Sequence, residues 1–379
     1  MSRIMIGRYI SQPAGYKAFI PEAFPPINLT LSESVLSVLE AANLSLGRLD
    51  GITELLPDLD LFILMYIRKE AALSSQVEGT QATMVDAMKA EAQMISGLPD
   101  DVDDIRRYIQ AMNQGLARLK ELPLSLRLVR EVHETLLASG CRSHGHVYPG
   151  EFRTTQNWIG GGSPANARYV PPPPDPMKSA LADLEKFIHA PSSLPILIRA
   201  GLAHAQFETI HPFVDGNGRT GRLLVTFFLC ETGALKRPVL YLSEFFKRYR
   251  DAYFDQLQAY HDSSDINGWL SFFLEGIRQV ADEAIETARG VNRLRDKDIP
   301  RVAAFGRNQA TAMTLLKHLY GSPFISVKTV ERVTQLSRTN ANRLVAKFTD
   351  AEILVQTDET VEYGRRFVYR EYLDLFTST

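Results

Sequence analysis

Apolar residues recur every three or four positions over most of the chain, a period that predicts helices. One runs from Leu31 to Leu49 behind a Thr30 or Ser32 cap. Asp58 to Glu78, Asp101 to Lys120 and Ser125 to Ser139 continue the series, the last with Ser125 as its cap. Leu194 to Ile210 and Leu223 to Cys230 are more uniformly apolar, and Tyr249 to His261 and Gly268 to Ala288 return to the helical period. Residues 1 to about 30 are Pro-rich and read as an irregular arm. No internal repeat or low-complexity segment interrupts the pattern.

The period fails between Gly140 and Asp175. Two short extended pieces, Asn157 to Ile159 and Ala167 to Val170, flank a Gly/Ser/Pro/Asn turn and read as a β-hairpin or a long surface loop. A second break falls in the polar stretch Gly290 to Lys297, which ends at Pro300. Beyond it, Ala310 to Tyr320, Val327 to Thr334 and Thr339 to Phe348 read as helices. Ile353 to Thr357 and Arg366 to Tyr369 read as strands joined at Gly364. Three helices followed by a hairpin is the order of a winged helix-turn-helix.

A chain of 379 residues with 45% hydrophobic content can bury a large core in two or three domains. The net charge of −2 gives no general attraction to nucleic acid or membrane. No apolar run reaches the ~20 residues of a membrane span, and the start lacks a signal peptide's apolar stretch. Cys141 and Cys230 have no metal-ligand spacing. These features predict a soluble cytoplasmic protein with no membrane partner. His144 and His146 have no neighbouring ligands and read as solvent-facing rather than as a metal site. His204, on an apolar helix, reads as a core histidine.

The densest chemistry is His211-Pro212-Phe213-Val214-Asp215-Gly216-Asn217-Gly218-Arg219-Thr220-Gly221-Arg222. Neutral imidazole accepts a proton near pH 7. Asp215 can hold a divalent cation, the glycines let backbone N–H groups approach an anion, and Arg219 and Arg222 match phosphate. The turn between two apolar runs is expected to open onto a helix N-terminus, which favours phosphate.

This string resembles the Fic signature HPFx[D/E]GNGRxxR at every defined position. Pro149-Gly150-Glu151-Phe152-Arg153, the Pro171 to Pro174 run and Ala18-Phe19-Ile20-Pro21 add to the resemblance, which spans roughly residues 15 to 280. It implies a mainly α Fic helical core with a β-hairpin flap, here followed by the winged helix. Domains are expected at 1–120, 121–298 and 299–379.

The resemblance implies transfer of AMP from ATP to a side-chain hydroxyl of a target protein. His211 would be the catalytic base and Asp215 the Mg²⁺ ligand. Gly216, Asn217 and Gly218 would form the anion hole, while Arg219 and Arg222 would hold the β- and γ-phosphates. Gly218 favours AMP transfer over the kinase orientation of relatives with lysine there. Phosphocholine transfer stays open. Tyr253 would line the adenine pocket, with Tyr249 and Phe254 as alternatives. Asn157, Trp158 and Ile159 of the flap would position the target.

Ser74-Ser75-Gln76-Val77-Glu78-Gly79 fits [S/T]xxxE[G/N], which such proteins carry as an inhibitory helix. By that resemblance Ser74 and Glu78 are inhibitory, with Glu78 pairing with Arg222; Glu78 could equally support removal of AMP. The alternative class is a nucleotide-sensing DNA-binding regulator, because Arg338, Asn340, Asn342, Arg343 and Lys347 suit a recognition helix. Glu352, Asp358, Glu359 and Glu362 dilute that face, so protein interaction or homodimerisation competes with DNA.

Overall fold

The protein is seen in a computed structural model that describes residues 5–26, 29–56, 58–94, 97–138 and 148–377. It is 64% helical. Strands β1 (Gly7–Ser11) and β2 (Lys17–Pro21) come first. They are followed by α1 (Glu33–Thr53), α2 (Leu59–Val77), α3 (Met84–Glu91), α4 (Val102–Arg118) and α5 (Leu126–Leu136). After the irregular 148–173 segment come α6 (Pro174–His189), α7 (Ile196–Ile210), α8 (Asn217–Glu231), α9 (Ser243–Arg248), α10 (Arg250–Ser263) and α11 (Ile266–Ala303). The chain ends with α12 (Gln309–Gly321), β3 (Phe324–Ser326), α13 (Val327–Thr334), α14 (Arg338–Asp350), β4 (Val355–Gln356), β5 (Arg366–Val368) and α15 (Arg370–Thr377).

The residues group into two compact units, neither an uninterrupted stretch of chain: 1–47, 73–80 and 106–282 in the first, 48–72, 81–105 and 283–379 in the second. In the first, α7 is buried over nearly its whole circumference, from Leu197 to Ile210, as expected of a helix that is apolar all round. It packs on α6 and α8. Gly201 permits the close approach of Phe273, since a Cβ there would meet the ring at 2.9 Å. Ser125 caps α5 by accepting from Leu128 N–H. In the second unit, α12, α13 and α14 pack beside an antiparallel sheet of order β3-β5-β4, with Phe324 opposite Val368 and Val355 also opposite Val368. Leu315, Leu319, Val330, Leu344, Phe348 and Phe367 form its core.

Several expectations need correction. The arm at 1–30 contains a hairpin, β1 against β2, with Tyr9 opposite Phe19. Only Gly7, Ala18 and Phe19 of its strands are buried, so alternation was too weak to reveal it. The flap is less regular than a two-stranded hairpin. Ile159 and Tyr169 form one isolated bridge, closed by a 3₁₀ turn at Pro164–Asn166. Glycines 160 to 162 weaken the ladder, and Pro171 to Pro174 lack the N–H groups that would extend it.

Helix α11 runs through the polar stretch and past Pro300, because Ala284, Ala288, Val291, Leu294 and Asp298 continue one buried stripe. Pro300 lies near the helix end and removes a single hydrogen bond. Helices α3, α6, α9 and α15 and strand β3 were not expected. Cys141, His144 and His146 lie outside the described residues. Among the described residues, no helix is long and apolar enough to cross a membrane.

Candidate active site

Helix α7 stops at His211, which adopts the left-handed conformation (φ 48°, ψ 60°) while its N–H still bonds to Phe207 O. A side chain there costs on the order of 1–3 kcal/mol unless neighbours impose the geometry. Arg153 does so. Its guanidinium, 2% exposed, donates to His211 O (2.9 Å), Ile210 O (3.3 Å), Pro172 O (2.5 Å) and Thr155 O (3.1 Å). Asn157 adds donations to His211 O (3.3 Å) and Phe213 O (2.9 Å). Thus Asn157, expected to face a target, turns its amide to the signature loop.

The loop closes on itself. Asn217 accepts from Phe213 N–H and donates to Phe213 O, both at 2.8 Å. Gly216 supplies the positive φ (77°) that caps α8. The N–H groups of Asn217, Gly218 and Arg219 therefore head the helix with no preceding carbonyl in the helix to meet. Asp215 Oδ1 accepts from Gly216 N–H at 2.7 Å, and its Oδ2 lies 4.0 Å from Arg219 Nη2.

His133 supports the loop from α5. Its Nδ1 accepts from Gly150 N–H, its Nε2 donates to Asp215 O, both at 2.9 Å, and its ring stacks 3.6 Å from Phe213. Those partners require the neutral tautomer with the proton on Nε2. Burial pushes its pKa down to about 4, the Asp215 carbonyl opposing.

A cavity of about 370 Å³ brings together Glu78, Trp158, Ile159, His211, Gly218, Arg222 and Tyr253. Arg222 is 3% exposed and donates Nε–H to Ser74 Oγ (2.8 Å) and Nη2–H to Ser74 O (2.9 Å) and Glu78 Oε1 (2.8 Å). Burial acts to lower the Arg222 pKa, but Glu78 and the tyrosines around it hold it above the ordinary value. Glu78 follows the last turn of α2, and its carboxylate lies where a Cβ on Gly218 would be. Arg250 Nε–H donates to Val77 O (3.1 Å) and Lys247 to Gln76 Oε1 (2.7 Å), holding the same segment from α10 and α9.

Tyr253 donates its hydroxyl to His204 Nε2 (3.0 Å), whose Nδ1 donates to Gly221 O (3.1 Å). His204 is thus a satisfied core histidine. Beside Tyr253, Arg250 lies 5.1 Å over the Phe254 ring. Burial, then Arg153, lowers the His211 pKa to about 4, so its imidazole is neutral at pH 7. Asp215, Gly216, Asn217 and Arg219 stand at the loop and helix start outside the cavity lining. Arg153, His133, Glu208 and Arg250 were missed as site residues; the PGEFR motif signalled Arg153, whereas the others read as helix positions.

Residues 36–117 match the pattern described as Fic/DOC family N-terminal, and residues 123–229 that described as Fic/DOC family. The chain thus carries a Fic N-terminal domain and a Fic domain over these residues. It is 32% identical over 165 residues to protein adenylyltransferase Fic of Culex quinquefasciatus, covering 42% of this chain and 29% of that one. Against the protein adenylyltransferase Fic of Drosophila grimshawi it is 31% identical over 186 residues, 48% of this chain and 33% of the relative. The chain thus spans about a third of the length of these relatives. A Fic family protein from Desulfovibrio desulfuricans G20 shares the fold at TM-score 0.59 and 18% identity, over 90% of this chain and 97% of that one.

Proposed function

We propose that this protein transfers AMP from ATP to a side-chain hydroxyl of a target protein. The observation that carries this reading is the meeting of His211, Gly218 and Arg222 on one cavity beside the start of α8. The target hydroxyl attacks the α-phosphorus, and neutral His211 takes its proton through Nε2. The O–Pα bond forms as the bond to the β-phosphate oxygen breaks, releasing pyrophosphate. The N–H groups at the head of α8 hold the phosphates, with Arg219 and Arg222 countering the β- and γ-phosphate charge. Tyr253, Arg250 and Phe254 line the side assigned to adenine, and Trp158 and Ile159 of the flap present the target backbone.

Among the described residues, no cluster of three or more His, Cys, Asp or Glu could cage a metal alone. The single carboxylate Asp215 suits Mg²⁺, which takes one or two protein oxygens together with phosphates and water. When bound there it would neutralise phosphate charge.

Glu78 holds the enzyme back. Its carboxylate neutralises Arg222 and lies against Gly218, in space the terminal phosphate requires. The same carboxylate offers the position from which AMP removal could be assisted. Incubation with labelled ATP and Mg²⁺, read by mass spectrometry, tests the assignment. The Glu78→Gly chain should gain AMP on itself or on an added target, and His211→Ala should abolish it. Absence of any AMP adduct on the Glu78→Gly chain would sink it.

A second reading concerns the winged-helix arrangement at 299–379. Lys328, Arg338, Asn342, Arg365 and Arg366 line a groove of about 700 Å³, although Glu331 and Glu362 share it. We propose DNA as its partner. Duplex binding by fluorescence anisotropy should weaken steeply with salt and fail in Arg338→Ala/Arg365→Ala. Salt-insensitive or unchanged binding would instead favour protein contacts or self-association.

A further inference from the structure

The signature's proton acceptor has a carboxylate one helical turn behind it. Glu208 and His211 close α7 at positions i and i+3, which places their side chains on neighbouring edges. Glu208 Oε2 lies 3.9 Å from His211 Nδ1, an ion-pair separation longer than a hydrogen bond. Glu208 Oε1 is buried without a hydrogen-bond partner, and both residues line the cavity. Gly221 on α8 leaves the room for this carboxyl, since a Cβ there would lie 2.5 Å from Oε1. A buried carboxyl with one oxygen unanswered, beside the imidazole that must become charged, is placed to act on that imidazole.

We propose that Glu208 is the positioning residue that stabilises His211 in its protonated form as it takes the proton of the target hydroxyl. This rests on the transfer reading above. As His211 Nε2 gains the proton, the Nδ1–H becomes part of an imidazolium, and the Glu208 carboxylate supplies the opposite charge. The proton moves from hydroxyl to Nε2, and Glu208 itself takes none.

The groups facing the pair make its state depend on pH. Arg222 on α8 favours the Glu208 carboxylate, while Glu78 after α2 disfavours it. Tyr253 on α10 is neutral beside it; Arg153 disfavours charge on His211, whereas Glu78, the Glu208 backbone carbonyl and Asp215 favour it, and His211 in turn disfavours charge on His261 of α10. Burial dominates and lifts the Glu208 carboxyl to about 8, with Arg222 opposing. Raising pH through that value ionises Glu208 and strengthens His211 as a base.

The test uses the full chain carrying Glu78→Gly, alone and with Glu208→Gln or Glu208→Asp. Turnover and KM for ATP are recorded from about pH 6 to about pH 9, on either side of the raised Glu208 carboxyl. The His211 ¹⁵N resonances are followed in parallel over the same range. Glu208→Gln should lower kcat roughly tenfold or more, leave KM for ATP within about twofold, and lose the rise near pH 8. Glu208→Asp should restore part of kcat, and the step in the His211 ¹⁵N shifts that Glu208 ionisation produces near pH 8 should vanish in the Gln chain.

An unchanged pH profile, a loss confined to KM, or a step near pH 8 in the His211 ¹⁵N shifts that persists in the Gln chain overturns the role of Glu208. If no chain transfers AMP while the step near pH 8 in the His211 ¹⁵N shifts is still lost in the Gln chain, the transfer reading falls and the Glu208–His211 coupling stands.

Discussion

The signature loop and the 74–79 segment meet at Arg222 yet are held in opposite ways. The loop is fastened through its backbone: Arg153 and Asn157 grip its carbonyls, His133 its Asp215 carbonyl, and Asn217 closes it from within. Every one of these anchors is a buried or half-buried group with a fixed hydrogen-bond geometry. Segment 74–79 is instead tied largely by side chains, and Glu78 itself is 40% exposed. On the proposed reading, the difference separates a part that must be rigid from a part that can leave. Preorganised dipoles stabilise charge without rearranging, whereas a carboxylate that competes with phosphate has to be displaceable.

The largest effect should come from the rigid side. His211→Ala is expected to lower AMP transfer by about 10³–10⁴-fold while ATP binding survives. Single-turnover transfer alongside nucleotide binding by calorimetry separates these, and retained transfer would remove His211 from the chemistry. Next comes Arg153→Ala, which strips four carbonyls of a charged donor and should destabilise the fold by about 2–4 kcal/mol. A urea midpoint close to that of the parent would show that the loop needs no clamp.

Acid should loosen the same side by a lesser amount. Burial lowers His133 and His211 to about 4 and His204 and His261 to about 3. Their folded pKa values lie below the unfolded value of about 6.5, so the unfolded chain binds more protons beneath it. Stability is then lost as pH falls from about 6.5 toward 4, by about 1–3 kcal/mol for each histidine. Glu208 acts in the opposite sense, since its raised pKa favours the fold below about 8 and most fully below about 4.5. With these four histidines against the Glu208 carboxyl, the urea midpoint should drop on acidification; a flat midpoint across this range contradicts the assignment.

The smallest stability change should accompany the most visible gain of activity. Glu78→Gly removes an ion pair that is partly exposed, and Arg222 keeps both Ser74 bonds. It should cost about 1 kcal/mol and raise AMP transfer roughly tenfold or more, which requires only about 1.4 kcal/mol. A marked fall in thermal midpoint with no rise in transfer would make Glu78 a structural residue instead of a brake.

Much of the helical fold was legible because its signals are local. Ser125 sits where a cap belongs, and the edges of α2, α13 and α14 follow the apolar period closely. The β1–β2 hairpin was not, since Phe19 is buried by residues far along the chain, among them Tyr169 and His261. The same reason hid three site residues. His133 has the position of an ordinary core residue on α5, and Arg250 and Glu208 look like helix-surface charges until α8 and the 74–79 segment are in place.

What the sequence by itself determined is the chemistry of the 211–222 string, because its base, carboxylate, glycines and guanidinium groups are covalent neighbours whose spacing needs no fold to be read. The tertiary structure alone decided which atoms meet. It placed Arg222 against Ser74 and Glu78, 148 and 144 residues away, and gave His211 its strained backbone through Arg153. Hydrogen bonds and burial act over a few ångströms, and only the folded chain brings residues so far apart in sequence within that range.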